Sequence, residues 1–305
     1  MTAVQPSATR AGEPGSPVAD PPSRTAGRPR RGAPPVTAPR NVRWAGYVLC
    51  AVVTLFVLTP LAVIIGSSLT PQRYWQFPPE GLTFQWYEQL LTDAEFMRSL
   101  LVSFVVAVIV TLIGTAVGLL GAIAIVRGPR GTSQRLALGT LLPVLFPNVA
   151  IGVAIFMLYA NLGVPIGIVT LALAQLILVL PFTIRLLMVG LTGINPNLER
   201  AAQNLGAPPG MAVVKVVLPL IKGATLTAAL ITFVHSLDDA AVALFINNPD
   251  TITVPVRLLL YQETQPGPLI AAGGTILMVV GVVVCAVIVK TVGLGRAFGV
   301  SSGKG

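Results

Sequence analysis

Residues 99–126 read SLLVSFVVAVIVTLIGTAVGLLGAIAIV, an apolar run uninterrupted by any Asp, Glu, Lys or Arg. A helix needs about 20 such residues to cross the hydrocarbon core of a bilayer. Membrane strands alternate apolar and polar residues, and this run has no period of two. In lipid, every backbone N–H and C=O has to find a partner within the chain, so the run is expected to be a spanning helix. Gly114, Gly118 and Gly121 inside it form a small-residue stripe suited to close helix packing.

Five further runs share its character, at about 44–66, 136–160, 165–189, 223–246 and 268–290. The fold class is therefore an all-α membrane protein with six transmembrane helices. Composition agrees: the 305 residues are 54% hydrophobic and 10% charged, with mean hydropathy +0.81. Soluble domains carry about 25% charged residues, because they need a water-facing side. Pro143 and Pro147 fall in the third run and Pro181 in the fourth. They remove backbone donors, so kinks are expected there, and kinked helices often line a cavity.

The net charge is +9. The basic residues flank the apolar runs and no basic patch interleaves with aromatics, which argues against nucleic-acid binding. One side collects the Arg-rich head together with Arg127, Arg130, Arg135, Arg200, Lys215, Lys222, Lys290, Arg296 and Lys304. The other holds Arg73, Arg98 and Arg257, while Arg185 can snorkel from the fourth run. The positive-inside rule then predicts a multi-pass plasma-membrane protein with both termini cytoplasmic. Residues 1–43 are rich in Pro, Gly, Ala and Arg, and read as a disordered basic tail rather than a cleaved signal peptide. Residues 44–292 form the transmembrane domain and 293–305 a short cytoplasmic tail. Tyr74, Trp75, Trp86 and Tyr87 suit an interfacial belt in the outer loop at 67–98. Cys50 and Cys285 lie in apolar runs and His235 is the only histidine, so no metal-ligand spacing exists.

The segment 195–219 has its own logic. Asn195 is a good N-cap and Pro196 a good first helical residue. Leu198, Ala201, Ala202 and Leu205 repeat at helical spacing and predict one apolar face. Gly206 is a natural stop, and Pro208 opens a second short helix that runs towards Pro219. Two amphipathic cytoplasmic helices, bent at Gly206, are expected.

The string Ala201-Ala202-x-x-Leu205-Gly206-Ala207, followed by Leu218-Pro219, resembles the EAA loop of binding-protein-dependent ABC importer permeases, and it lies in the place that loop takes, after the fourth of six spans. The resemblance implies the type I importer permease fold, with 195–219 as a coupling loop that docks on a cytoplasmic ATPase dimer. The coupling residues it implies are Glu199, Arg200, Ala201, Ala202, Leu205, Gly206, Ala207 and Pro219. Arg200 departs from the pattern, because the family has Glu immediately before the two alanines. Glu199 sits one residue earlier, turned by about 100° on a helix. The chain carries no Walker motif, Gly303-Lys304 being a stray pair. It is expected to be non-catalytic and to hold no cofactor, with ATP–Mg in the partner ATPase.

The fifth run contains Asp238 and Asp239, one helical turn after His235. Intramembrane acids usually face a cavity or a partner. Ser236-Leu237-Asp238-Asp239, then Phe245 and Pro249, resembles the second permease subunit of spermidine/putrescine importers, as does Phe84-Gln85-Trp86-Tyr87. The resemblance covers residues 44–292. It implies a substrate path with Asp238, Asp239, Ser236 and Trp86, in which carboxylates and an indole face meet a cationic polyamine. Asn148 is assigned to the same path and departs from the pattern, since polyamine permeases carry Asp after the proline. Permeases for opines, phosphonates and ferric iron share the architecture and stay open as alternatives. The implied partners are a second permease subunit forming a heterodimer, an extracytoplasmic solute-binding protein and membrane lipid. A secondary transporter would use the two acids as an ion site, but no inverted repeat is visible. A membrane enzyme would need a larger titratable cluster than one His and two acids.

Overall fold

A computed structural model describes residues 40–74, 77–265 and 267–292. The residues 1–39 and 293–305 of the two expected tails, and Trp75 of the expected belt, lie outside the described residues. The chain divides into two units, Met1–Val52 and Val53–Gly305, within its first helix, α1 (Arg40–Ser68). The described part of the first unit is the start of α1, where Trp44 and Tyr47 make an edge-on ring pair at 6.5 Å. The helix thus begins before the expected boundary at 44.

In the second unit the expected outer loop at 67–98 contains a short helix, α2 (Gln85–Thr92). Asp93 then caps α3 (Ala94–Arg127), its carboxylate accepting from the Glu95 amide at 2.9 Å. The third span is not one helix. α4 (Arg130–Gly139) and a 3₁₀ turn at Leu142–Leu145 give way at Pro147 to α5 (Asn148–Leu162), which leaves at 96°. Pro147 has no N–H to donate and its ring would collide with the carbonyl one turn back, so the chain breaks rather than kinks. It stands at φ −58°, ψ 134° as the residue before α5. Pro181, by contrast, is absorbed and buried inside the continuous α6 (Ile168–Thr192).

The coupling segment forms α7 (Pro196–Asn204), α8 (Pro209–Ala212), a π turn at Val213–Val217 and α9 (Leu218–Leu220). The wide turn ends just before Pro219, which could not supply an α-helical hydrogen bond. A 79° bend leads into α10 (Lys222–Leu237). The fifth span was expected to run to 246; its helix ends at Leu237 and residues 241–245 are turns. α11 (Val254–Thr264) precedes α12 (Pro268–Val292). Among the described residues four helices are long and apolar enough to cross a membrane, in α1, α3, α6 and α12, and counting each bent pair as one span gives up to six. No strand occurs among the described residues.

α3 is the shared wall of three apolar clusters. Val106 and Val110 meet Leu171 and Val179 of α6 and Val242. Phe96 and Ala107 meet Phe233 and Leu237 of α10 and Leu269 of α12. Ala122 and Ile125 meet Leu187, Leu191, Val217 and Ile221. In lipid there is little hydrophobic drive between helices, so close contact has to do the work. The glycine stripe supplies it: a Cβ on Gly118 would stand 2.7 Å from Thr183 Cγ2, and one on Gly121 3.2 Å from Ile184 Cδ1. Nearby, the Thr183 and Thr232 hydroxyls bond at 2.6 Å, joining α6 to α10 inside the core. The opposite face of α3 leaves Leu112 and Leu120 exposed, as a lipid-facing surface requires.

Candidate substrate cavity and coupling surface

The end of α10 is decided from a different helix. Gln175 of α6, 1% exposed, donates from Nε2 to Asp239 Oδ2 at 3.1 Å and accepts from Ser236 Oγ at 2.5 Å. The Asp239 carboxylate also accepts from the amides of Val242 at 3.4 Å and Ala243 at 3.3 Å. A side chain that captures amides beyond its own position competes with helix continuation. The helix therefore stops at Leu237, with Asp238 as its C-cap.

That stop separates two adjacent acids. Asp239 is buried with its lone pairs engaged, and Ser236 is buried against Gln175. Asp238 is exposed and lines a cavity of about 700 Å³. Leu61 and Ile64 of α1, Leu258 of α11 and Met278 and Cys285 of α12 form its walls, and among the described residues Asp238 is the only charged one that lines it. Trp86 lies elsewhere. Its Nε1 donates to the Thr70 carbonyl at 2.7 Å, and it lines a second, polar cavity of about 580 Å³ with Arg73, Gln85, Gln89 and Gln265. Asn148, the first residue of α5, is exposed in a cleft of about 70 Å³ with Phe182 and His235, whose rings are 5.8 Å apart. Of the five expected path residues, Asp238 alone reaches the large cavity. Gln175 was missed in the sequence; a lone amide inside an apolar span was the signal available. Among the described residues no group of three or more His, Cys, Asp or Glu could hold a metal ion.

The coupling surface is built differently. The Asn195 side chain accepts from the Asn197 amide at 3.0 Å, which caps α7. At its other end Gly206 adopts φ +91°, and the amides of Gly206 and Ala207 return to the carbonyls of Gln203 and Ala202. This is the Schellman stop that suits a left-handed glycine. α7 buries no side chain. Arg200, Ala201 and Leu198 are exposed, Ala202 and Ala207 are half-buried, and Leu205 is 90% exposed. Glu199 turns inward, its Oε2 lying 3.1 Å from Arg127 Nε at the end of α3. Pro219 is exposed beside a cleft with Val214, Leu218 and Lys222.

The far end of α3 is tied to α11. Arg257 donates to Glu95 at 2.6 Å and to Ser99 at 3.2 Å, and the Val254 amide donates to Ser103 at 2.8 Å. The Tyr261 hydroxyl donates to Asp93. Burial, reinforced by that carboxylate, pushes the Tyr261 hydroxyl well above its ordinary value. Burial opposes ionisation of Asp93, but the bonds from Tyr261 and the Glu95 and Phe96 amides, with Arg257 nearby, outweigh it and hold the carboxyl below its ordinary value.

The family model of the binding-protein-dependent transport system inner membrane component matches residues 36–293. The chain belongs to that family. This importer permease is 26% identical over 231 residues to the spermidine/putrescine transport system permease protein PotC of Haemophilus influenzae, covering 75% of this chain and 88% of that one. It is 29% identical over 251 residues to the trehalose transport system permease protein SugB of Mycobacterium tuberculosis, covering 79% and 90%. Its fold matches a chain of the bacterial alginate ABC transporter, solved with an alginate pentasaccharide-bound periplasmic protein. The TM-score is 0.67 at 16% identity, covering 84% of this chain and 96% of that one. The permease is thus a multi-pass membrane subunit of an ABC importer with the type I fold.

Proposed function

We propose that this permease forms the solute path of an ATP-driven importer for a small cation, with a polyamine such as spermidine or putrescine as the leading solute. The observation that carries this reading is the Asp238 carboxylate in a cavity of about 700 Å³ whose other walls are apolar save for Thr275. A carboxylate pairs with one ammonium, and apolar walls accept the methylene chain between ammonium groups. Such a site is weak and transient, as release requires. Trp86, in its separate polar cavity, would meet the solute at another step of the path.

α7 is the proposed docking helix for a cytoplasmic ATPase dimer that carries ATP–Mg, with this chain non-catalytic and without a cofactor of its own. The exposed Leu205 and Leu198 support it, because apolar side chains at the edge of a membrane domain call for a partner. In this reading both termini are cytoplasmic, a solute-binding protein delivers from the other face, and a second permease subunit completes the path as a heterodimer. The exposed apolar side chains Val149, Phe156 and Met157 on α5 are available to that subunit or to lipid. A second reading, the same role for an uncharged or anionic solute, is favoured by Asn148 and by the burial of Asp239, which leave the cavity a single charge.

The test is ATP hydrolysis by the reconstituted complex with its binding protein. Spermidine should stimulate the wild type, and Asp238→Asn should lower that response about tenfold, the scale of one charge-assisted hydrogen bond. Stimulation by another solute alone would select the second reading.

A further inference from the structure

We propose that the Arg127–Glu199 ion pair is the joint through which movement of α7 reaches α3 and, through α3, the wall of the Asp238 cavity. The proposal rests on the reading of α7 as the helix that docks on the ATPase.

Three observations carry it. First, α7 buries no side chain, so it has no apolar anchor of its own on the bundle. Among the described residues, the Glu199–Arg127 contact at 3.1 Å is the one side-chain ion pair or hydrogen bond from α7 to another helix. Both side chains are largely covered, at 23% and 17% exposure, so solvent screens the pair less than a surface bridge. Second, the residue immediately before Ala201 is Arg200, which points into solvent, while Glu199 is rotated by about 100°. The acid is spent inside the chain rather than on a docking surface. Third, α3 is long and held at both ends. Its 34 residues span about 51 Å. At the far end Asp93, Glu95, Ser99 and Ser103 bind α11, and Pro255 and Leu258 of α11 line the Asp238 cavity.

The joint also has room to change. Arg127 meets Glu199 through Nε alone, and its Nη2 is buried without a hydrogen-bond partner. A two-pronged guanidinium–carboxylate contact would satisfy that nitrogen. A small displacement of α7 therefore has a second, better-paired geometry to move into. A pair with two arrangements is what a mechanical link between sites needs.

Cys285 lines the cavity and reports on it independently of which solute is carried. Cys50 is the only other cysteine, so Cys50→Ser isolates the probe. The experiment uses the full complex in vesicles, with N-ethylmaleimide labelling of Cys285 read by peptide mass spectrometry, with and without ATP–vanadate. In the Cys50→Ser background, nucleotide trapping should change the labelling rate. Arg127→Glu or Glu199→Arg alone should shrink that change about fivefold or more, and the double reversal should restore most of it. Each sample is normalised to ATPase co-purified with this chain. If a reversal lowers the amount of folded chain, Glu199→Gln keeps the shape and decides the matter, and it too should shrink the change. The joint is overturned if the single variants respond like the parent, if the double reversal does no better than the singles, or if the parent itself shows no change. Loss of the ATPase from Glu199→Gln also overturns it, since Glu199 would then belong to the docking contact. A parent chain that binds no ATPase removes the functional reading and the joint together.

Discussion

The knot at the end of α10 and the loop at 195–219 both interrupt a helix, and they do so in opposite ways. At the knot, Gln175, Ser236 and Asp239 satisfy one another from two helices and stay buried. At the loop, Asn195 and Gly206 satisfy the backbone locally, and apart from Glu199 and the half-buried Ala202 the side chains of α7 are left facing out. One break is complete within the chain. The other is complete as backbone and unfinished as surface, which is how a scaffold differs from a contact.

If that contrast is right, damage to the knot should cost stability and damage to the loop should cost partnership. The largest effect is expected from Gln175→Leu. It leaves the Asp239 carboxylate and the Ser236 hydroxyl buried without their main partner, which costs about 3 kcal/mol. Thermal unfolding of the purified chain in detergent measures it, and an unchanged midpoint would mean that the knot is not a scaffold. Leu205→Asp comes next. Chain stability should stay within about 0.5 kcal/mol, while affinity for the ATPase falls by about 2 kcal/mol, roughly thirtyfold. A titration of the ATPase onto the immobilised permease reads this, and equal affinity would remove Leu205 from the interface. The smallest effect is expected from Gly206→Ala. A Cβ at φ +91° costs about 1 kcal/mol. Hydrogen exchange at the amides of Gly206 and Ala207 should speed up while exchange in α6 stays put. Faster exchange in both would mean that the loop is not autonomous.

Local features of the loop were legible because their causes are local. Asn195, Pro196 and Gly206 each do what their own chemistry dictates, and the structure has them as cap, first turn and left-handed stop. The apolar runs were legible for the same reason, length and composition being enough to mark them. The break at Pro147 was half legible: a kink followed from the missing N–H, but its 96° required knowing that α5 had somewhere to go. The stop after Leu237 was not legible, because it depends on a hydrogen bond from Gln175, far away in sequence. The same holds for the two acids: adjacent residues read alike, and only the fold sends Asp239 inward and Asp238 to the cavity. The pairing of Glu199, one of the implied coupling residues, with Arg127 was not legible for the same reason: Arg127 lies on another helix.

The bareness of Leu205 also bears on how such a subunit is counted by the cell. On the proposed topology, a chain made without its ATPase carries an apolar tip, 90% exposed, into the cytosol. Chaperones and proteases continuously sort proteins that show such features. The lifetime of an orphan chain then depends on supply of its partner, and the ratio of the two subunits is corrected after synthesis as well as set by it.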